Sequence, residues 1–380
     1  MGPLHGFRVV EFGGIGPGPF CAMMLADMGA EVLRLDRRDG AELGLRRETR
    51  FATLNRGRRS VALDLKADGA AEAVLRLVRR ADAVIEGFRP GVMERLGLGP
   101  EVCLEANPRL VYGRITGWGQ EGPLAQAAGH DINYLAIAGA LHAIGRQDQL
   151  PSPPQNFLAD MAGGGMYLAF GIVCALLEAR GSGKGQVVDA AMVDGVASIL
   201  ASVHGMYAAG LISDRRGENH YDGGSPWYDC YETADGLLVA VGAIEARFYA
   251  TLLGLLGLDP ARLPAQHDRS GWPELRRRLA EAFRSKTRAQ WLELMADKDV
   301  CVAPVLTIGE AMAHPHLVAR ETFIEIAGVK QPAPAPRFSR TVPDRPAPPP
   351  EPGADTDTAL ADWGFTPQET ARLRACGAIA

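Results

Sequence analysis

Residues 7–12, Phe-Arg-Val-Val-Glu-Phe, read as a short apolar strand, and a glycine- and proline-rich turn follows at 13–19. The apolar run Cys21–Met28 is helical and ends at Gly29, and Glu31–Leu35 is a second strand that stops at Asp36. Strand, helix and strand in such short succession imply a parallel sheet. The alternation continues with a helix over 68–80, strands at 82–86 and 109–115, and an uncharged helix over 161–178. A strand near 186–190 and a long helix over 191–210 complete this part. The expected fold class is therefore α/β.

The texture changes after the polar loop 213–226. Tyr228–Thr233 and Leu237–Val241 flank Ala-Asp-Gly, a hairpin signal, and helices over 245–257, 273–284 and 287–296 precede a strand at 300–306. Residues 331–352 hold nine of the 26 prolines and read as an extended strap. Thr366-Pro367-Gln368-Glu369 is a capping box with Pro at the first helical position, opening a last helix that Gly377 closes. The division expected is a large α/β domain at 1–195, a helical linker at 196–224, a small α+β domain at 225–325, and a strap and helix at 326–380 returning to the large domain.

Composition narrows the class. With 47% hydrophobic and 22% charged residues, the chain reads as a soluble globular protein, and its net charge of −5 argues against a nucleic-acid partner. Its 35 Arg against 5 Lys fit the codon bias of a GC-rich genome, so single arginines carry little weight. Their placement carries more. Residues 34–59 contain nine Arg and four acids, a window of +5, so the other 354 residues total −10. Guanidinium forks in such a window suit a polyphosphorylated ligand.

Several chemistries are excluded by their missing signatures. The first turn reads Gly14-x-Gly16-Pro17-Gly18-Pro19, and its prolines have no N–H for a pyrophosphate, so no nicotinamide site is expected. Gly181–Gly185 lacks the Ser or Thr that a phosphate loop places after its lysine. No metal-ligand spacing is present, and the six cysteines lack any C-x-x-C pair, so they read as reduced core thiols. Met161–Leu177 is uncharged, but a buried helix explains it better than a membrane span. Residues 1–6 carry no secretory pattern, and a cytoplasmic location is expected.

Two places carry chemistry. Gly129-His130-Asp131-Ile132-Asn133-Tyr134 sets a histidine beside a carboxylate, which makes Asp131 a catalytic candidate alongside His130, and Asp160 precedes three glycines at the mouth of the uncharged helix. Backbone N–H groups at that helix start are candidates to hold an oxyanion. Together with Gly-Pro-Gly-Pro-Phe at 16–20, Val-Leu-Arg-Leu-Asp-Arg at 32–37, Gly-Lys-Gly-Gln at 183–186, Asp-Gly-Gly-Ser-Pro at 222–226 and Val-Gly-Ala-Ile-Glu at 241–245, these segments resemble the α-methylacyl-CoA racemases of the family III CoA-transferase superfamily.

The resemblance implies a Rossmann-like large domain, a small domain, and two chains interlocked as a homodimer with a shared active site. His130 and Asp160 match its two acid/base residues, and Glu245 matches the carboxylate that pairs with the histidine from the other subunit. Arg37, the segment Leu63-Asp64-Leu65-Lys66, and Gly129–Tyr134 (Ile132 and Asn133 included) match coenzyme A contacts, with Glu86, Arg89 and Arg95 as further candidates. The implied substrate is an acyl-CoA, and no separate cofactor or metal is implied. A second member activity is also open: a CoA-transferase in which the residue matching Asp160 is a covalent nucleophile.

Overall fold

The computed structural model describes residues 1–38, 45 and 47–380; Asp39, Glu42 and Arg46 of the basic window lie outside them. Six parallel strands form the main sheet: β1 (Arg8–Phe12), β2 (Glu31–Asp36), β3 (Arg58–Ala62), β4 (Ala83–Glu86), β5 (Val111–Thr116) and β6 (Gln186–Ala191). Their order is β3-β2-β1-β4-β5-β6, so the winding reverses between β1 and β4. Both faces are covered, and Val10, Leu33 and Val84, adjacent in register, are fully buried. The α/β expectation holds, with the strand order of a doubly wound dinucleotide-binding sheet.

Helix starts moved where backbone chemistry outranked the apolar pattern. The first helix spans Pro17–Asp27, four residues ahead of the apolar run, because the N–H that proline lacks has no intrahelical partner in a first turn. The helix expected over 191–210 is broken at Leu200 into Met192–Ile199 and Ala201–Ala208. The uncharged helix opens as a π-helical stretch, Phe157–Met166, before Tyr167–Ser182 continues as α-helix. It is not wholly buried. Leu168, Ile172 and Leu176 pack inward, while Met166, Phe170, Val173 and Leu177 are exposed. The cysteines also divide: Cys21 and Cys103 are buried, and Cys174, Cys230, Cys301 and Cys376 are exposed free thiols.

Strand β3 is absent from the sequence-based elements because its arginines disguise it. Arg58 is buried, and its Nε donates to Glu11 Oε2 at 3.1 Å while Arg34 Nη1 donates to Glu11 Oε1 at 2.6 Å. Arg34 Nε also reaches Asp36 at 2.8 Å, and the buried Arg56 pairs with Asp27 at 2.6 Å. Burial pulls the Arg58 guanidinium below its ordinary value, and the Glu11 charge opposes the pull. The basic window is thus not one surface patch. Arg34, Arg56 and Arg58 are core ion pairs whose partners lie mostly upstream of the window.

The described residues divide into two compact units, Met1–Ala138 with Gln155–Ile199 and Glu321–Ala380, and Gly139–Pro154 with Leu200–Arg320. The sequence-based boundaries at 195 and 325 fall a few residues from these, but residues 139–154 group with the second unit. Arg216 gathers them, donating to the carbonyls of His142 at 2.8 Å and Arg146 at 3.1 Å. Arg146 in turn pairs with Asp229 at 2.6 Å. The rest of that unit is an antiparallel sheet, β7 (Tyr228–Glu232), β8 (Leu238–Gly242) and β9 (Val302–Pro304), packed through Tyr231, Val239 and Val241 onto helical residues including Leu279, Phe283 and Trp291.

In the first unit, β10 (Phe323–Ile326) and β11 (Val329–Pro332) form a hairpin, and Gln331 from it accepts from Arg56. The proline-rich segment runs along β3, with the Gly57 N–H on Ala347 O and the Ser60 N–H on Asp355. Leu360, Trp363, Leu373 and Ile379 then share the core that contains Leu33 and Val61. The capping box at Thr366 forms with Glu369 as its reciprocal partner.

Candidate active site

Loops leaving the carboxyl ends of β1, β2, β4 and β5 enclose a cavity of about 550 Å³ in the first unit. The position is the point where strand order reverses, where doubly wound sheets open a crevice for ligands. Gly13–Pro19 lines it after β1, Arg37 after β2, Arg89 after β4 and Trp118 after β5. Gly129, His130, Asn133, Tyr134 and Asp160 complete the wall.

His130 is the N-cap of the helix Asp131–Ile137, exposed to the cavity side, with its backbone N–H held by Asn133 Oδ1 at 3.0 Å. Tyr134, one turn further on, donates its hydroxyl to Gly129 O at 2.5 Å and packs edge-on against Trp118, ring centroids 4.8 Å apart. Burial, and then the Asp160 charge, push the Tyr134 phenol up to about 12. It is therefore a neutral hydrogen-bond donor at physiological pH.

Asp160 comes from the π-helical stretch, a geometry that often marks a functional site. The stretch lies tightly under the next helix: a Cβ on Gly195 would come within 1.8 Å of Gly163 O. Burial, and then the charge of Asp131, push the Asp160 carboxyl above the usual carboxylate range. The Asn156 amide, 3.4 Å from Asp160 Oδ2, and His130 pull the other way. The cavity therefore brings together an imidazole and a carboxyl that holds its proton unusually well, 30 positions apart in sequence, which suits general acid/base work on one bound group.

The profile of CoA-transferase family III matches residues 4–356. The chain belongs to CoA-transferase family III. It is 46% identical over 376 residues to a mouse (Mus musculus) protein named alpha-methylacyl-CoA racemase, covering 97% of this chain and 96% of that protein. The human (Homo sapiens) protein of the same name is 45% identical over 374 residues, with the same coverages. Among solved structures, a CaiB/BaiF family protein from Brucella suis superposes with a TM-score of 0.83 at 29% identity, covering 95% of this chain and 99% of that one.

Within this family III chain, the expected site residues separate. Arg37, Arg89, Gly129, His130, Asn133, Tyr134 and Asp160 line the cavity; the other candidates do not. Leu63 is buried in the core, Leu65 is half-buried against it, and Lys66 is exposed. Asp64 is bound locally, its N–H on Ala378 O and its Oδ1 accepting from the Lys66 N–H. Glu86 is buried, with one oxygen on Arg114 at 2.8 Å and the other on the Phe88 N–H at 2.7 Å, so its carboxylate is structurally committed. Arg95 and Ile132 are exposed, and Glu245 is an exposed helix N-cap in the second unit.

Asp131 is displaced from the role its neighbour suggested. Its carboxylate turns onto the N–H groups of Ala159 and Asp160, both at 2.8 Å, rather than onto His130. Of the N–H groups near the helix start that the sequence offered to an oxyanion, those of Ala159 and Asp160 are therefore taken by Asp131. Among the described residues, no group of three or more His, Cys, Asp or Glu side chains is placed to hold a metal.

Two contributors escaped the sequence reading. Asn156 lies four residues before Asp160, a spacing that could have flagged it. Gly16 has φ +67°, and a Cβ there would sit 3.2 Å from Asp160 Oδ2. Gly16→Ala is therefore expected to strain the turn, displace the Asp160 carboxyl, and slow turnover on the order of 10²-fold. Turnover measured alongside a melting curve checks this; a wild-type rate in a folded variant would remove Gly16 from the site.

Proposed function

We propose that this chain is an α-methylacyl-CoA racemase, interconverting 2R- and 2S-2-methylacyl-CoA thioesters by two-base proton transfer through an enolate. The observation that carries the reading is the shared cavity of His130 and a carboxyl at Asp160 held above its ordinary range. The names of the mouse and human relatives support it. Inversion needs one base on each face of the α-carbon. In one direction His130 accepts the α-proton from 2S substrate, its C–H electron pair passing into the thioester enolate, and Asp160 returns a proton to the opposite face to give 2R. In reverse, Asp160 accepts and His130 donates. The donor form of Asp160 is lost as pH rises through its raised value, so that raised value widens the pH range over which it can donate. Coenzyme A arrives with the substrate, and Arg37 and Arg89 at the cavity rim are its proposed phosphate partners.

The CoA-transferase reading makes Asp160 a covalent nucleophile rather than a proton donor. Incubation with 2S-2-methylacyl-CoA in D₂O separates the two: racemisation with α-deuterium uptake is expected. Transfer of CoA to added carboxylates, with a hydroxylamine-sensitive adduct at Asp160 and no exchange, would overturn the racemase reading.

The exposed apolar face of Tyr167–Ser182 supports a homodimer, since a contiguous patch of Phe170, Val173 and Leu177 is unusual on a monomer. In that dimer, Glu245 of a second copy is the proposed partner of His130. Mixing His130→Ala with Glu245→Ala protein is then expected to restore about a quarter of wild-type activity, because half the dimers are mixed and each has one intact site. No gain on mixing, with subunit exchange verified, would assign Glu245 to its own chain or to neither.

A further inference from the structure

We propose that Asp131 is the positioning residue of this site: it clamps the backbone at Asp160, and its negative charge lets the Asp160 carboxyl hold a transferable proton. The inference rests on the two-base reading and adds to it a group that acts beside burial to favour Asp160 as a donor.

The geometry is specific. Asp131 opens the helix Asp131–Ile137 and is only 5% exposed. An aspartate there would ordinarily face solvent or its own first turn. Here Oδ2 instead bridges two consecutive N–H groups, those of Ala159 and Asp160, at 2.8 Å each. Oδ1 is buried and, among the described residues, has no hydrogen-bond partner. Burying a carboxylate costs stability, which its two N–H partners offset in part. The charge is placed to act on the next carboxyl along: two carboxylates sharing a low-dielectric site cannot both ionise easily.

The other groups around Asp160 do not supply this effect. His130 from the same helix favours ionised Asp160, and so does the Asn156 amide. Arg89, from the loop after β4, acts on Tyr134. The glycine turn 13–19 carries no charged residue, and Asp194, the acid of the helix Met192–Ile199, is felt at Asp189. Burial and Asp131 are what remain to raise Asp160.

Asp131→Asn keeps an oxygen for the two N–H groups and removes the charge. In the full-length protein, the acidic limb of kcat/KM against pH is expected to move to lower pH by about half a unit or more. A residue acting only through packing would lower the rate at every pH without moving the limb. A second readout does not need turnover: carbodiimide labels protonated carboxyls, and peptide mass spectrometry across a pH series gives the labelling midpoint of Asp160. That midpoint is expected to fall in Asp131→Asn, and likewise in Asp131→Ser should the first variant fold poorly. An unchanged limb and midpoint in folded protein would overturn the proposal. Wild-type protein without racemisation, but with a midpoint that moves, would sink the racemase reading and leave the Asp131–Asp160 coupling standing.

Discussion

Asp160→Ala is expected to abolish racemisation, lowering the rate by roughly 10²–10⁴-fold while acyl-CoA binding stays within a few-fold of wild type. In the two-base reading the carboxyl acts at the α-carbon and not on the coenzyme A moiety, so its loss is expected to act on turnover rather than affinity. His130, intact in this variant, is expected to go on exchanging the α-proton of 2S substrate with D₂O without inverting it. His130→Ala should show the mirror result, with residual exchange of 2R substrate. NMR of the α-position, run with chiral separation of the acids, reads both outcomes. Asp160→Asn is the control for packing, since it keeps volume and removes proton transfer. A wild-type inversion rate in either alanine variant would refute a two-base scheme.

Glu11→Ala is expected to cost about 3–5 kcal/mol of stability, because it leaves the buried Arg34 and Arg58 guanidiniums short of a shared counter-charge. Arg34 retains Asp36, but Arg58 is left with backbone carbonyls alone. The consequence reaches the site. Arg34 also approaches Gly14 O at 3.4 Å, and Arg58 donates to Pro19 O, so the two guanidiniums brace both ends of the turn that backs Asp160. Urea unfolding measures the stability, and a loss below about 1 kcal/mol would mean that water or neighbouring acids replace Glu11.

Much of this was legible in the chain. Alternating strand and helix patterns with a glycine turn after β1 required a parallel sheet, and the ordered motifs around His130 and Asp160 led to the family. What stayed hidden shares a physical reason. Strand β3 was concealed because Arg58 is buried, and a buried arginine is recognisable only once its acid, 47 residues away, is in place. Buried pairing likewise moved Arg34, Arg56 and Arg58, three of the nine arginines, from an apparent basic patch into the core. Lys66 and Glu86 were drawn in by resemblance, but Glu86 spends its carboxylate on Arg114 and the Phe88 N–H.

By itself the sequence determined the fold class and the family and marked His130 and Asp160 as the acid/base candidates, since periodicity and local motifs depend on near neighbours. Only the tertiary structure decided which of two adjacent residues, His130 or Asp131, faces the cavity. It also decided that Asp131 serves Asp160 rather than the histidine beside it. Adjacent residues at a helix start point in different directions, and the hydrogen bonds that settle their roles come from a segment 28 positions away.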